Sequence, residues 1–257
     1  MGKTKLSNII RGLKNYPQIV GVFTTGSSSN KLKPYSDIDL VIILKKNYEK
    51  IKSIYTNIDG HFADIFFFDI PFLEQIKLNK NLLANSFKGI FITWLNKGVI
   101  HYDPVGALSK YKKTFSKKKM IINDIEKQEC LVKINYNYVA NKRYYGAPNK
   151  IYLQALQIRL AYSVIELCTT YCTLRNIAWR GEKEFISYLD KHDKKYLKNL
   201  LGYFNEKILK TRFSYYEKLL AMTLTPKYKK WKKDFFIINT TRLLTHDKER
   251  KIQKMFG

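Results

Sequence analysis

The chain has 257 residues, of which 45% are hydrophobic, and this composition excludes a disordered polymer and allows one large or two modest folded domains. Its longest aliphatic run beside a predicted strand, LVIIL, is far shorter than the roughly 20 residues that cross a bilayer, and no signal-peptide core opens it, so we expect a soluble, cytoplasmic protein. The 47 basic and 21 acidic residues give a formal net charge of +26, which suits a polyanionic partner such as a nucleotide or nucleic acid.

The first 105 residues alternate between β-branched runs and helical spacing, a pattern typical of an α/β domain. We predict strands at QIVGVFTT, DIDLVIIL, HFADIFFFD and KGVIHYDP. We predict helices over Leu6 to Tyr16, over NYEKIKSIYTNI, from Pro71 onward and over most of Asn81 to Asn96. The small, polar segment between the first two strands is expected to form a loop or a short helix.

Strand signals nearly vanish after the run SKYKKTFSKKKM, which is predicted to be a basic linker. Helical patterning then covers Glu126 to Tyr145, Lys150 to Leu174, Glu182 to Leu189, Lys194 to Phe204, Ser214 to Thr223 and Lys227 to Leu244. We therefore predict a catalytic domain over residues 1–115 and a basic helical domain over 116–257. The first has 17 basic and 8 acidic residues (+9) and the second 30 and 13 (+17), so the helical part has most of the excess charge.

A pair of aspartates, Asp37 and Asp39, opens the second predicted strand. Residues two apart in a strand face the same side, so both carboxylates point together while Ile38 points into the core. Two carboxylates on one face can bridge a pair of Mg²⁺ ions. Such ions complete their coordination with water and phosphate oxygens, which favours a nucleoside triphosphate as the bound substrate.

A phosphate-binding turn is predicted where the first strand ends, at Gly26 and Ser27. Glycine allows the backbone to approach an anion closely, and backbone N–H groups with the Ser27 hydroxyl can donate to phosphate oxygens. Ser28 adds a donor, and Lys31 adds a positive charge.

The third strand contributes a candidate third carboxylate at either Asp64 or Asp69. They lie five positions apart and so face opposite sides of a continuous strand. We favour Asp64, which lies inside the strand, and interpret Asp69 as the N-cap of the helix that begins near Pro71. His61 is three residues before Asp64, hence on the opposite face, and is assigned a structural role.

These motifs together resemble the polymerase-beta-type nucleotidyltransferase superfamily: Gly26-Ser27, nine intervening residues, Asp37-x-Asp39 at the head of an apolar strand, and Asp64 in a later strand. SDIDLVI and KGVIHYDPVG are similar to its small bacterial and archaeal members, which include antibiotic adenylyltransferases, minimal nucleotidyltransferases of toxin–antitoxin systems and tRNA-modifying toxins. The resemblance covers about residues 17–105. It implies an α/β (α+β) catalytic domain with a mixed sheet, here followed by an all-α helical bundle domain.

The same resemblance implies transfer of a nucleoside monophosphate from an NTP to a hydroxyl group, with release of pyrophosphate. By this match Asp37 and Asp39 bind two Mg²⁺ or Mn²⁺ ions, and Asp64 is the third ligand and a candidate base. Gly26 and Ser27 would hold the phosphates of the NTP. Where many relatives have an Arg shortly after Gly-Ser, this chain offers Lys31, which lacks the bidentate fork of a guanidinium.

In the helical half, LRNIAWRGEKEFISYL is similar to a segment of some antibiotic nucleotidyltransferases in which a polar turn faces the nucleotide. Arg180 and Lys183 would then neutralise triphosphate charge. The alternative is an ordinary solvated helix start, with Glu182 near the positive end of the helix dipole.

Three functions remain open at this stage. The first is an NTP-dependent enzyme whose acceptor is a nucleic acid, with tRNA favoured because the helical half is basic. The second is an enzyme with another acceptor, either a small molecule, although a cationic antibiotic would require an acidic pocket, or a protein hydroxyl, as in AMPylation of a toxin partner. The third is a catalytically silent nucleic-acid-binding or antitoxin-like module, against which the presence of all three carboxylates argues.

Overall fold

The computed structural model describes residues 6–26, 33, 36–147, 149–232 and 245–255. They form two compact units, divided between Ile121 and Ile122, which we describe separately as unit 1 and unit 2. In the part of the chain so described, no helix combines the length and apolar character needed to cross a bilayer.

Unit 1 is built on a five-stranded mixed sheet with the order β3-β4-β2-β1-β6, in which only β2 and β4 pair in parallel. Its strands are β1 (Ile19–Thr25), β2 (Ile38–Leu44), β3 (Ser53–Ile58), β4 (His61–Asp69) and β6 (Val99–Tyr102), with a two-stranded sheet of β5 (Leu82–Leu83) and β7 (Met120–Ile121). Its helices are α1 (Leu6–Leu13), α2 (Ile70–Leu78), α3 (Phe87–Lys97) and α4 (Ala107–Phe115). The predicted mixed sheet is confirmed.

The sheet is buried on both faces, which explains why β2 is almost continuously apolar. Val41 and Ile43 pack in one core with residues of α2, α3 and α4. Leu40 and Ile42 point to the other face and pack with Ile10 of α1. Side chains of β2 therefore alternate between two separate cores.

The predicted helix over NYEKIKSIYTNI is wrong, because its second half is strand β3. Apolar residues at 51, 54, 55 and 58 imitate helical spacing, but β3 pairs antiparallel with β4 at the edge of the sheet. The two strands are joined at Asp59 and Gly60, both with positive φ (54° and 84°), which the Asp-Gly hairpin turn requires. The Asp59 carboxylate also accepts a hydrogen bond from the Leu6 backbone N–H (3.0 Å) at the start of α1.

The predicted basic linker is also wrong over its first half, which forms α4. Leu108 and Phe115 of this helix are fully buried in the core of unit 1. The Asp103 carboxylate accepts from the backbone N–H groups of Leu108 (3.0 Å) and Ser109 (2.9 Å) and so caps the helix. A lysine-rich composition concealed two core positions that lie seven residues apart.

Unit 2 is helical over its described residues, as expected. Its helices are α5 (Asp124–Tyr145), α6 (Lys150–Leu174), α7 (Glu182–His192), α8 (Lys194–Asn205), α9 (Leu209–Thr223) and α10 (His246–Gln253). Its core is rich in buried tyrosines, among them Tyr196 and Tyr216. The helix predicted from Lys227 is absent over 227–232, and the rest of that range, to 244, is largely outside the described residues.

The β3–β4 turn provides a test of the hairpin. We expect Gly60→Ala to lower the free energy of unfolding by about 1–2 kcal/mol, because a Cβ disfavours the left-handed conformation. Gly12→Ala, in α1 with no neighbour near the added methyl group, should be neutral or stabilising by up to about 1 kcal/mol. Urea denaturation of both variants measures the difference, and equal stabilities would contradict the assigned turn.

Candidate active site

A row of four side chains crosses one face of the sheet at its end. The pairing register places Thr25 of β1 opposite Asp39 of β2, Asp39 opposite Asp64 of β4, and Asp64 opposite Tyr55 of β3. Directly paired residues share a face, so all four side chains stand on the face that α2, α3 and α4 cover further along. Asp39 and Asp64 are thus neighbours on adjacent parallel strands.

The residues that follow the aspartates explain why the row forms. Val41 pairs with Phe66, and Ile43 pairs with Phe68, so every later row on this face is apolar. Those rows are covered by helices, whereas Asp39 and Asp64 are only partly buried. The carboxylates therefore occupy the end of a hydrophobic sheet face.

Asp64 is in an environment that opposes its negative charge. Its Oδ1 atom is buried and has no hydrogen-bond partner. Burial raises the pKa of Asp64 above its ordinary value of 3.8, and the negative charge of Asp37 raises it further. Asp37 therefore lies close enough to act on Asp64, although it precedes β2 by one residue.

Gly26 lies against the Asp39 carboxylate. Its φ is +60°, and a Cβ added there would stand 2.1 Å from Asp39 Oδ2, well inside van der Waals contact. Only glycine fits both the conformation and the space. The backbone at the end of β1 thus passes directly beside one of the proposed metal ligands.

His61 holds the segment that contains Asp37. Its Nδ1 atom donates to the backbone carbonyl of Ser36 (2.8 Å), the residue immediately before Asp37. Sequence reasoning gave His61 a structural role but missed this contact, because it depends on the β2–β4 register that sets Ile38 opposite Ala63. Only the strand pairing could have revealed His61 as a positioning residue.

The carboxylates lie near each other at one end of the sheet, but they do not surround a single point. Within the described ranges, no three His, Cys, Asp or Glu side chains converge closely enough to hold a metal ion. The buried, unpaired Oδ1 of Asp64 nevertheless fits a divalent cation, because it is a hard oxygen donor with a second negative charge nearby. A cation here would satisfy that atom and offset the repulsion from Asp37.

Two further expectations concern the neighbourhood of this row. The assignment of Asp69 as a helix N-cap is confirmed, since its Oδ1 accepts from the Phe72 N–H (3.0 Å) and its Oδ2 from the Asn47 N–H (3.1 Å). The predicted phosphate-binding residues Ser27, Ser28 and Lys31 lie outside the described residues.

Arg180 and Lys183 belong to unit 2. Arg180 lies between α6 and α7, where its Nη1 donates to the Trp179 carbonyl (2.8 Å). Burial lowers the pKa of Arg180, and the charge of Glu184 partly opposes this. Lys183 is in the first turn of α7, after Gly181 with its positive φ of 92°. Their role toward a nucleotide stays a prediction.

A comparison with known protein families gives a match over just under half of the chain. Residues 6–128 match the family model of the nucleotidyltransferase domain, and this stretch includes the whole Asp row. A nucleotidyltransferase-like protein from Exiguobacterium sibiricum 255-15 is similar in structure, with 11% sequence identity and a TM-score of 0.43 over 84% of this chain and 72% of that one. This similarity is too low to bear on function. No curated protein matches the chain significantly.

The raised pKa of Asp64 makes a prediction about stability. A raised carboxyl pKa means that folding favours the protonated form of Asp64. The stability that this form contributes is therefore fully present below about pH 3.8 and is lost as the pH rises through the raised pKa. At neutral pH the wild-type protein therefore has a destabilising charge. Asp64→Asn should raise the apparent Tm at pH 7 by about 2–4 °C, and the gain should shrink as the pH falls toward 4.

Millimolar magnesium provides the second half of this test, since it should raise the Tm of the wild type more than that of Asp64→Asn. Asp59→Asn is a matched control, because asparagine tolerates the positive φ at this turn position and can still accept from the Leu6 N–H, and Asp59 is not in the row. A Tm of Asp64→Asn below that of the wild type at pH 7 would refute the proposed charge conflict.

Proposed function

We propose that this protein transfers a nucleoside monophosphate from an NTP to a hydroxyl acceptor and releases pyrophosphate, which the match of residues 6–128 to the nucleotidyltransferase domain model supports. The observation that carries the proposal is the row in which Asp39 and Asp64 stand side by side on adjacent parallel strands. The unpaired Asp64 Oδ1 and the close approach of Gly26 to Asp39 support it.

Each carboxylate has a distinct part in the proposed reaction. Asp37 and Asp39 are the ligands of two Mg²⁺ ions, and Asp64 is the third ligand. When bound, such a pair of ions neutralises the triphosphate and stabilises both the attacking and the leaving oxygen. The protein supplies three negative charges at one end of the sheet, and without a cation the charge of Asp64 is opposed by burial and by Asp37.

Asp64 is also the candidate general base. The acceptor oxygen bonds to the α-phosphorus while the bond from that phosphorus to pyrophosphate breaks, and the acceptor proton passes to Asp64. The position of Asp64 beside Asp39 on the adjacent parallel strand supports this role, because it places a second oxygen acceptor next to the proposed metal ligands.

The phosphates of the NTP are assigned to the end of β1 and to basic residues. Gly26 brings the backbone to the Asp39 carboxylate, so the residues that follow it in the chain begin beside the proposed metal ligands. We assign phosphate contacts to Ser27, Ser28 and Lys31. Arg180 and Lys183 are proposed to contribute positive charge from unit 2.

The acceptor is proposed to be a nucleic acid, with tRNA favoured. The formal charge of +26 supports a polyanionic acceptor over a cationic small molecule. A small-molecule acceptor and a catalytically silent RNA-binding module are the alternatives that the next experiment separates.

We expect label transfer from one of the four NTPs to total tRNA in the presence of Mg²⁺, and a loss of about 100-fold or more in Asp37→Asn, Asp39→Asn or Asp64→Asn. Asp59→Asn should keep nearly full activity, because Asp59 is in the β3–β4 turn outside the row. Gel separation of labelled RNA measures the transfer. Salt-sensitive RNA binding without any transfer would leave only the silent module.

The contact between Gly26 and Asp39 makes a second activity prediction. In Gly26→Ala the new methyl group must displace the Asp39 carboxylate, so we expect transfer to fall by about tenfold or more. Gly60→Ala is the control, because it has the same left-handed strain with open space around the added Cβ. Equal activities in the two variants would show that Gly26 does not position Asp39.

A further inference from the structure

Two exposed aromatic rings flank the candidate active site at the edge of the sheet. Tyr55 of β3 is 64% exposed and Phe62 of β4 is 57% exposed. Their rings are nearly parallel, with centroids 6.3 Å apart and an interplanar angle of 6°. Large exposed rings that stack on each other present a flat apolar surface to solvent, which favours a planar ligand.

Strand pairing places both rings beside Asp64. Tyr55 lies directly opposite Asp64 across the β3–β4 pair, and Phe62 is two residues before Asp64 along β4. All three side chains therefore share one face of the sheet. Tyr55 is next to the carboxylate that we propose as base on the side away from β2, and Phe62 precedes that carboxylate on its own strand.

A groove continues from Tyr55 along the same face. Its volume is about 560 Å³, and its walls include Tyr55, Phe66 and the 56%-exposed Phe87. Lys50 and Lys52 also line it, together with the carboxylate of Asp69, which is engaged in two hydrogen bonds from backbone N–H groups. The groove is of the size typical of ligand sites. Its walls are largely aromatic, and its two lysines lie just before β3.

The charge near the groove favours a polyanion. The segment between β2 and β3, KKNYEKIK, has four lysines and one glutamate, and all four lysines are exposed. Aromatic faces together with lysines are what single-stranded nucleic acid requires, since its bases stack and its phosphates pair with cations. A duplex hides its base faces, and a peptide added to the edge of β3 would not use the lysines.

We propose that the Tyr55–Phe62 surface and the adjoining groove bind the single-stranded end of the nucleic-acid acceptor and bring its terminal hydroxyl to Asp64. This inference rests on the proposed transferase function. It adds that unit 1 itself binds the acceptor, so that acceptor binding is not left to the basic helical half. The last bases stack on the two rings and enter the groove, while Lys50 and Lys52 contact phosphates.

The test is the binding of a short, fluorescently labelled single-stranded oligoadenylate to the full-length protein, followed by anisotropy. We expect Tyr55→Ala and Phe62→Ala to weaken binding by about tenfold each, since loss of one stacked base costs on the order of 1–3 kcal/mol. Tyr55→Phe keeps the ring and should bind like the wild type. Lys50→Ala and Lys52→Ala should each lower the slope of log affinity against log salt concentration by about one, as expected for the loss of one phosphate contact.

Ile54→Ala is the matched control for the rings. Ile54 is 44% exposed on the same strand but faces the opposite side, so its truncation should leave oligoadenylate binding unchanged. Because both rings are exposed, thermal melts of the alanine variants should match the wild type. Equal binding by Tyr55→Ala, Phe62→Ala and Ile54→Ala would overturn the inference.

Two further comparisons identify the ligand class and separate this inference from the proposed reaction. A duplex that binds as tightly as the single strand, or AMP that competes as well as the oligonucleotide, would overturn the single-stranded acceptor. Asp64→Asn should bind oligoadenylate at least as tightly as the wild type while transfer is lost. If the ring variants bind more weakly but the wild type transfers no label, the surface is supported and the reaction is contradicted. If the wild type transfers label but the ring variants bind as tightly as it does, the reaction is supported and the surface is contradicted.

Discussion

The parallel pairing of β2 with β4 is the constraint on which the candidate site depends. It sets Asp39 beside Asp64, and a slip of one residue would turn Asp64 toward Leu40 in the core on the α1 side. Burial on both faces prevents that slip, because Val41, Phe66 and Phe68 need the core on the other side. The hydrophobic pattern that stabilises the sheet thus also determines which carboxylates meet.

The same pairing has a cost in stability. Asp64 is held in a partly buried position with one oxygen unpaired and the charge of Asp37 acting on it. An apolar residue there would continue the rows formed by Val41 with Phe66 and Ile43 with Phe68. Stability and function often oppose each other. We therefore expect a binding site to retain a carboxylate that destabilises the free protein but fits a cation.

The sequence predicted those parts of the molecule that depend on local spacing. Asp37-x-Asp39 and the apolar run after it needed only the two-residue period of a strand, and α5 and α6 needed only long helical patterns. The N-cap role of Asp69 could be predicted from the proline that follows two residues later. The contact between His61 and Ser36 needed the register of two strands that are distant in sequence, and no local pattern contains that information.

The error at β3 shows how such a local pattern can mislead and what it conceals. Ile51, Ile54, Tyr55 and Ile58 fit a helix, and in a helix Tyr55 would have no relation to the sheet. The Asp59-Gly60 turn was the available signal for a hairpin, because two consecutive residues with positive φ suit that turn and interrupt a helix. Once β3 is an edge strand, Tyr55 stands opposite Asp64 and Lys50 and Lys52 line the adjoining groove. The surface inferred to bind the acceptor therefore exists only because this segment is a strand.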